Sequence, residues 1–346
     1  MQEIKSFDVF AHKILETYHR SNEDFWAAVM APFLSDNNVL TLWQHRKIGM
    51  EMLSLFNTLD NDAKKLLTDY SSSMGFDITK WKSLQVKNEY FKDAYPIYAF
   101  LAIWMEEEGL SDNLKRFGDI LQAVIFGIAG YAILDVIVDG DDFSSVELLT
   151  SQALIAEYET RIIKAFGVTE VNLDILHRIR AQFLKAEVKE KSLRRKASPY
   201  HKDNPKECGY KAAHLLTPFM LSLECLGKSS LIDTYFEVFF MFGAVIQIID
   251  DLKDLEDDIS IGHFSYITLD TETVTLLNKG QKPHEIVKIL MEDKQRLHEI
   301  YDTCKKLIAE SKTILGNLND PFLARIVNVT DLRLDSFFRK ELKIEL

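Results

Sequence analysis

The chain is poor in the residues that make tight turns and cross-links. Its 346 residues include only 14 glycines, 7 prolines and 3 cysteines. Scarce glycine and proline disfavour an all-β protein, whose short strands need many turns. Cys208, Cys225 and Cys304 are widely spaced and odd in number. They therefore predict reduced thiols in a cytoplasmic protein and neither a disulfide framework nor a zinc site.

A basic surface is also missing. Lysine and arginine number 41 against 53 aspartates and glutamates, so the formal net charge is −12. No basic stripe with interleaved aromatic residues is present, and binding to nucleic acid is therefore not expected. Hydrophobic residues make up 47% of the chain, which is a composition able to bury a large core.

Long apolar runs are few. The first residues, MQEIKSFDVFAHKILETYHR, carry charges throughout and contain no apolar core, so no signal peptide is expected. The most apolar region, roughly residues 120–138, is long enough to cross a membrane but contains Asp135 and two glycines. We predict that it forms a helix buried in a large α-helical core, and we expect no stable membrane span.

Helical periodicity dominates the rest of the sequence and predicts one all-α domain over residues 1–346. Only HFSYITLD suggests a strand, and it is too isolated to form a sheet. The predicted helices cover residues 5–20, 23–34, 38–58, 61–72, 87–107, 112–139, 145–166, 171–195, 207–226, 230–258, 284–311 and 319–341.

An acidic run, QIIDDLKDLEDDISIGHFSY, follows directly on the apolar segment YFEVFFMFGAVIQII. On one continuous helix its five aspartates would fall within an arc of about 120°. The same face would continue backward through aromatic and small residues and an amide. The aspartates are Asp250, Asp251, Asp254, Asp257 and Asp258, and the residues behind them are Phe239, Phe240, Gly243, Ala244 and Gln247.

A second helix repeats this design. Asp135 and Asp139 are four residues apart and share a face, on which Ile128 and Tyr131 precede them. Gly140 is expected to end this helix. Both helices thus predict an apolar face that leads to carboxylates at the C-terminal end.

Carboxylates in these positions are costly without a counter-charge. Acids near a helix C-terminus oppose the helix dipole, and two carboxylates ~6 Å apart repel by roughly 3 kcal/mol at an effective dielectric constant near 20. A hard divalent cation such as Mg²⁺ would remove the repulsion and still leave room for a phosphate. The alternative for each cluster alone is a solvated acidic surface.

The acidic motifs resemble those of class I isoprenoid synthases. QIIDDLKD, residues 247–254, fits the Q-x-x-D-D-x-x-D motif of trans-prenyl diphosphate synthases, and YKAAHLL, with Lys211, resembles their lysine-bearing helix. DVIVD, residues 135–139, resembles the first aspartate motif of squalene and phytoene synthases. In a second frame, Asp254, Asp258, Gly262 and His263 also resemble the second motif of those enzymes. The resemblance covers roughly residues 110–270.

The resemblance implies a helical bundle around a deep apolar cavity, with the two aspartate clusters facing each other at its mouth. It further implies a trinuclear Mg²⁺ cluster that grips the diphosphate of a prenyl substrate and promotes its departure as an allylic carbocation forms. Aromatic faces would stabilise this cation. Because dimers are common in the family, a second copy of the chain is a further candidate partner.

The predicted site residues fall into four groups. The metal ligands are Asp135, Asp139, Asp250, Asp251, Asp254 and Asp258. Asp135, Asp250 and Lys211 are assigned to catalysis. The diphosphate ligands are Lys211, Arg194, Arg195, Gln247 and His263. The cavity lining is Ile128, Tyr131, Phe239, Phe240 and Gly243. For each basic or aromatic residue the alternative is an ordinary surface or core position.

Three family motifs are missing. The Gly-Lys-x-x-Arg-Pro and Arg-Arg stretches that hold isopentenyl diphosphate in chain-elongating members are absent, and so is the N-D-x-x-S-x-x-x-E metal motif of typical terpene cyclases. Without a visible second-substrate site, we expect a Mg²⁺-dependent terpene synthase that ionises and cyclises one prenyl diphosphate. The first alternative is a prenyltransferase that condenses two prenyl diphosphates, and the second is a helical interaction protein without catalysis.

Overall fold

The computed structural model describes residues 12–16, 58, 61–75, 101–104, 106, 114–139, 144–269 and 271–344. Across these residues the chain is helical and forms no strand, which confirms the all-α class. Most of the helices predicted over 5–20, 23–34, 38–58 and 87–107 lie outside the described residues, as does Gly140. Residues 61–73 are helical, close to the predicted 61–72.

Helices are labelled from the one that covers Leu114–Asp139. They are α1 (Leu114–Asp139), α2 (Ser145–Phe166), α3 (Glu170–Leu193), α4 (Thr217–Cys225), α5 (Ile232–Lys253), α6 (Leu255–Ile261), α7 (Thr271–Asn278), α8 (Pro283–Glu292), α9 (Lys294–Leu318) and α10 (Pro321–Ser336). Short 3-10 helices cover Pro205–Leu216, Ser229–Leu231 and Tyr266–Thr268, and a π-helical turn covers Phe337–Glu341.

Several predicted helices are wrong at their ends or are divided. The segment predicted as one helix over 230–258 is α5 and α6, separated at Asp254. Residues 284–311 are likewise divided at Asp293, between α8 and α9. HFSYITLD is no strand, because its residues Tyr266–Thr268 form a 3-10 turn with Ser265 as the N-cap.

The division at Asp254 relieves the electrostatic conflict that a continuous helix would create. Asp254 has φ −96° and ψ 11° and serves as the C-cap of α5 and the N-cap of α6. Glu256, Asp257 and Asp258 thereby fall in the first turn of α6, where the helix dipole stabilises acids instead of opposing them. The helical wheel that placed all five aspartates on one arc is therefore wrong beyond Asp254.

The chain divides into two compact units, Met1–Leu176 with Leu221–Ser229 and His177–Met220 with Ser230–Leu346. In the first unit, α1 and α2 pack antiparallel. The ring of Tyr158 lies against Gly127, and Ile155 lies against Gly130, so both glycines permit a close approach that a Cβ would prevent. Ser151 Oγ donates to the carbonyl of Gly130 at 2.9 Å. α2 begins with a reciprocal capping box between Ser144 and Glu147.

Helix α5 is the core of the second unit. It packs against the 3-10 helix Pro205–Leu216 and against α9, α10 and α6. Fifteen of its residues are buried, and most of them are apolar. Gly209 allows the 3-10 helix to cross it, since a Cβ there would lie 2.3 Å from the carbonyl oxygen of Phe240 and 2.9 Å from the amide nitrogen of Ala244.

Two segments, Phe117–Val138 and Ser229–Lys253, are long and apolar enough to cross a membrane by length and composition. In each, 72% of the apolar window is buried within the fold. Core helices of globular proteins are also buried in this way. We predicted that the first of these segments is such a core helix.

We predict that Gly209→Ala lowers the thermal midpoint. The new methyl would meet backbone atoms of α5 that cannot turn aside, and forcing extra volume into a packed site costs about 1–3 kcal/mol. Gly316→Ala in α9 is the matched control. A Cβ there meets nothing within 4 Å, and alanine stabilises a helix by about 0.5–1 kcal/mol relative to glycine. Thermal denaturation should therefore give opposite signs for the two variants, and equal midpoints would contradict the close crossing at Gly209.

Candidate functional site

The C-terminal end of α5 carries a buried carboxylate with one unsatisfied oxygen. Asp251 is 6% exposed. Its Oδ1 accepts a hydrogen bond from Gln247 Nε2 at 2.8 Å, one turn earlier on the helix. Its Oδ2 is buried and has no hydrogen-bond partner among the described residues. A buried carboxylate oxygen without a partner is costly, and native proteins rarely keep one without a reason.

The surroundings of Asp251 favour its neutral form. Burial raises its pKa to about 7, and the negative charges of Asp258 and Glu190 act in the same direction. The hydrogen bond from Gln247 and the charge of Lys211 lower the pKa but do not compensate. Asp251 is thus half-protonated near neutral pH, unlike an ordinary surface aspartate.

A second buried carboxylate, Glu190 in the last turn of α3, bridges two cations. Its Oε2 lies 2.9 Å from Lys211 Nζ, and its Oε1 forms a short contact with His263 Nε2. The side chains of Glu190, Lys211 and His263 are 10%, 17% and 12% exposed. Although burial acts against ionisation, Lys211 and His263 lower the pKa of Glu190 to about 2.

His263 is held by a helix-ending turn. Gly262 adopts a left-handed conformation, φ 74°, at the end of α6. Its amide bonds to the carbonyl of Ile259, and the amide of His263 bonds to the carbonyl of Asp258 at 2.8 Å, which is a Schellman motif. The turn brings His263 Nδ1 to 3.3 Å from Asp258 Oδ1. Although burial alone would lower it, hydrogen bonds to Asp258 and Glu190 raise the pKa of His263 to about 10.

Carboxylates outnumber cations in this cluster, which we call the Glu190–Asp251 cluster and define as Glu190, Lys211, Asp251, Asp258 and His263. Its three acids face two cations. A full set of ionised acids would leave one negative charge in excess, and the charges of Asp258 and Glu190 add to the burial that raises the pKa of Asp251. The tyrosine nearby is affected too, since burial and then Glu190 and Asp251 raise the pKa of Tyr200 well above its usual range.

The cluster fits one additional cation at Asp251. The unsatisfied Oδ2 is a hard oxygen donor, and a divalent cation would both supply its partner and balance the excess charge. Within the described residues, no three His, Cys, Asp or Glu side chains are grouped closely enough to coordinate a metal by themselves. A bound cation would therefore take further ligands from water or a substrate, as Mg²⁺ commonly does.

The other predicted ligands on this segment are exposed or only partly buried. Asp250 and Asp254 are exposed, Asp258 is partly buried, and of the predicted aspartates in this run only Asp251 is fully buried. Partial burial, followed by the charges of Asp250, Asp258 and Asp257, raises the pKa of Asp254. The assignments of metal and catalysis to these residues stay predictions.

The predicted diphosphate ligands Arg194 and Arg195 contact the end of α6. Arg194 Nε donates to the carbonyl of Ile261 at 3.3 Å, and the amide of Arg195 donates to the carbonyl of Gly262 at 2.7 Å. Arg195 has φ 61°, and its side chain lies where a Cβ of Gly262 would be. Ser198 continues the connection by donating to the carbonyl of Ser265 at 2.8 Å. Residues 194–198, which follow α3, thus contact the residues on either side of His263.

The predicted cavity residues of α5 are packed core residues. Phe239 is 1% exposed and contacts the rings of Phe219, Tyr235 and Phe242, while Phe240 stacks on Phe236 and meets Tyr210 edge to face. Gly243 lies opposite Gly209. A cleft of about 610 Å³ in the second unit is lined by other residues. Its lining includes Tyr200, Tyr266, Arg296, Glu299 and Thr303. The deep apolar cavity stays a prediction.

The first aspartate motif belongs to the first unit. Asp135 is partly exposed and lies one turn beyond Tyr131, which is 6% exposed and meets the ring of Tyr158 edge to face. Ile128 is 2% exposed and buried in the same helix. Asp139 is the last residue of α1, and its side chain lies outside the described part of the chain.

Sequence reasoning missed Glu190, although its signal was present. Ile175, Ile179 and Phe183 form the buried stripe of α3, and Glu187 and Glu190 continue it at the same helical spacing. The apolar face that leads into acids thus occurs in α3 as well as in α5. We overlooked it because the surrounding lysines give this part of the helix the composition of a solvated surface.

Comparisons with known proteins add no relative. No protein-family model, no curated protein and no solved structure matches the chain.

We predict that Asp251→Asn stabilises the ligand-free protein at pH 8. The folded-state pKa near 7 exceeds the unfolded value of 3.8, so stability that is fully present below pH 3.8 is lost as the pH rises through 7. The amide is isosteric and carries no charge, and it should raise the free energy of unfolding by roughly 2–4 kcal/mol at pH 8. Urea denaturation between pH 4 and 8 measures this gain.

The gain should shrink towards zero near pH 4, where Asp251 is itself neutral. Asp257→Asn is the matched control, because Asp257 is exposed on α6 and surface changes of this kind usually stay within about 0.5 kcal/mol. A variant at Asp251 that is no more stable than the parent at pH 8 would show that the carboxylate is not buried as described.

Proposed function

We propose that the protein is a Mg²⁺-dependent class I isoprenoid synthase of the terpene synthase type, which ionises a prenyl diphosphate. The observation that carries the proposal is the unsatisfied Oδ2 of Asp251, buried at the acidic end of an apolar helix and close to Lys211. A carboxylate needing a cation and a lysine suited to an anion are together the requirements of a metal–diphosphate site.

In this proposal the residues of the chain bind and orient the diphosphate. Asp251, supported by Gln247, holds the metal, and Asp250, Asp254 and Asp258 are further candidates for it. Lys211 supplies a point charge to the diphosphate oxygens. When bound, Mg²⁺ neutralises the diphosphate and makes it a better leaving group. The carbon–oxygen bond breaks with its electron pair on the departing diphosphate, which leaves an allylic cation.

The apolar length of α5 is chemically suited to the hydrocarbon part of such a substrate, although its aromatic rings pack against one another in the ligand-free protein. Its buried residues Phe236, Phe239 and Phe240 precede the half-buried Gln247 and the buried Asp251. Aromatic faces attract a carbocation, and a site without water protects it from quenching. In the first unit, Tyr131 and Ile128 precede Asp135 in the same order, and in this proposal Asp135 and Asp139 supply the first metal-binding motif.

A prenyltransferase of the squalene and phytoene synthase type is the second candidate, and one observation favours it. Asp258, Gly262 and His263 form a single turn in which the histidine contacts the aspartate at 3.3 Å. These are the positions that resemble the second motif of those enzymes. Such an enzyme would join two prenyl diphosphates, with release of diphosphate, instead of cyclising one.

We predict Mg²⁺-dependent release of inorganic diphosphate when the purified protein is incubated with geranyl, farnesyl or geranylgeranyl diphosphate. Asp251→Asn and Asp135→Asn should each reduce turnover about a hundredfold or more, because each removes a carboxylate proposed to hold the metal that binds the leaving group. Diphosphate is measured by a coupled colorimetric assay, and the extracted hydrocarbons are identified by gas chromatography with mass spectrometry.

Glu256→Gln is the matched control, because it removes one acid from an exposed position of α6 and should leave turnover unchanged. A cyclic product from one substrate supports the terpene synthase, whereas a product with two prenyl units supports the transferase. No diphosphate release from any of these substrates with Mg²⁺ present would contradict both, and it would favour a helical binding protein.

A further inference from the structure

We infer that Glu190 is a positioning residue for anion binding at the Glu190–Asp251 cluster: it holds Lys211 and His263 as a fixed pair of cations. This inference rests on the proposed function, because it concerns the same diphosphate site. Glu190 itself is an anion and is not expected to touch the diphosphate. Its contribution is the placement of the two cations that flank it.

The position of Glu190 is fixed by the packing of α3. The helix buries Ile179 and Phe183 on the same stripe, and the ring of Phe183 meets that of His214 edge to face at 5.3 Å between centroids. Near the end of the helix, Lys189 pairs with Glu207 at 2.8 Å. The carboxylate of Glu190 therefore belongs to a helix that is held on both its buried and its exposed sides.

Each oxygen of Glu190 serves a different cation. Oε2 accepts from Lys211, at 2.9 Å, and Oε1 contacts His263. The opposite ring nitrogen of His263 lies 3.3 Å from Asp258. Lys211 is thus connected through Glu190 and His263 to a candidate metal ligand. Without the shared carboxylate, two buried cations would face each other directly and would repel.

This arrangement also limits what His263 can do. Because its two ring nitrogens are directed to Glu190 and Asp258, the ring has no further N–H to offer a ligand. The structure therefore assigns His263 to the support of the site rather than to direct contact with a diphosphate. Lys211, which has three N–H donors on one nitrogen, is the residue of the pair suited to bind the ligand.

A positioning role for Glu190 and a simple effect of its charge predict opposite changes in anion affinity. Glu190→Gln removes one negative charge beside the site, so charge alone would make an added anion bind more tightly. If Glu190 positions the cations, the same variant should bind more weakly, because its amide cannot accept from both Lys211 and His263. Loss of a residue that orients a ligand-binding group typically costs about 10–100-fold in affinity.

The test is isothermal titration of the full chain with inorganic pyrophosphate in the presence of Mg²⁺. We expect at least about tenfold weaker binding for Glu190→Gln. Glu190→Asp keeps the charge but shortens the side chain by one methylene, so it should also bind more weakly even though it preserves the charge balance of the fold. Glu256→Gln, which removes an exposed acid, is the control and should bind as the parent does.

Circular dichroism establishes that each variant is folded before titration, since a purely structural role would reduce stability without changing the affinity of folded protein. If Glu190→Gln does not fold, Glu190→Asp decides. Parental or tighter affinity in a folded Glu190 variant overturns the inference. Failure of the parent protein to bind pyrophosphate with Mg²⁺ would instead contradict the proposed function, so the two failures are distinguishable.

Discussion

The carboxylate of Glu190, buried between the ammonium of Lys211 and the imidazole of His263, is the interaction on which the arrangement of the second unit depends. Taking charges out of water costs several kcal/mol per ion, so such groups persist only with close partners. Here one acid joins α3, the 3-10 helix Pro205–Leu216 and the turn after α6. Removing one member of a buried pair typically costs about 3–5 kcal/mol, because the remaining charge is left without compensation. The pairing therefore joins three segments at one buried point.

Close packing of the backbone brings Lys211 and His263 near enough to Glu190 to pair with it. The 3-10 helix that carries Lys211 crosses α5 at Gly209, where no side chain separates the two backbones. A larger residue would move this helix outward, and Lys211, two residues later, would move with it. On the other side, the left-handed Gly262 turns the chain back so that His263 meets Asp258. Two glycines in a glycine-poor sequence thus lie at the two points where the cluster requires a close approach or a positive φ.

Much of the fold around the cluster could be predicted from single helices. The predictions that failed concerned interactions between helices. The periodicity of the apolar face predicted a helix over α5 and placed Gln247 beside the acids. The role that the lysine motif assigns to Lys211 stays a prediction. Glu190 was not predicted to belong to the site because its partners lie 21 and 73 residues further along the chain. The exposure of Asp254 was missed because a helical wheel assumes that the helix continues through this residue. Repulsion between adjacent acids, which we used to argue for a metal, is partly relieved by the chain itself when α6 begins at Leu255.

The division at Asp254 also changes how the two overlapping aspartate motifs are understood. In the sequence they compete, since one assigns Asp250, Asp251 and Asp254 and the other Asp254 and Asp258. In the structure they are two separate local contacts, the Gln247–Asp251 pair within α5 and the Asp258–His263 turn at the end of α6. Both lie within the electrostatic reach of Glu190, which acts on the pKa values of Asp251 and His263 alike. The two frames are therefore complementary: one supplies a buried carboxylate with an unsatisfied oxygen, and the other supplies a buried cation that is paired with two carboxylates. Asp254, which both motifs share, is the exposed residue between α5 and α6. The break in the helix at this residue allows both local contacts to form.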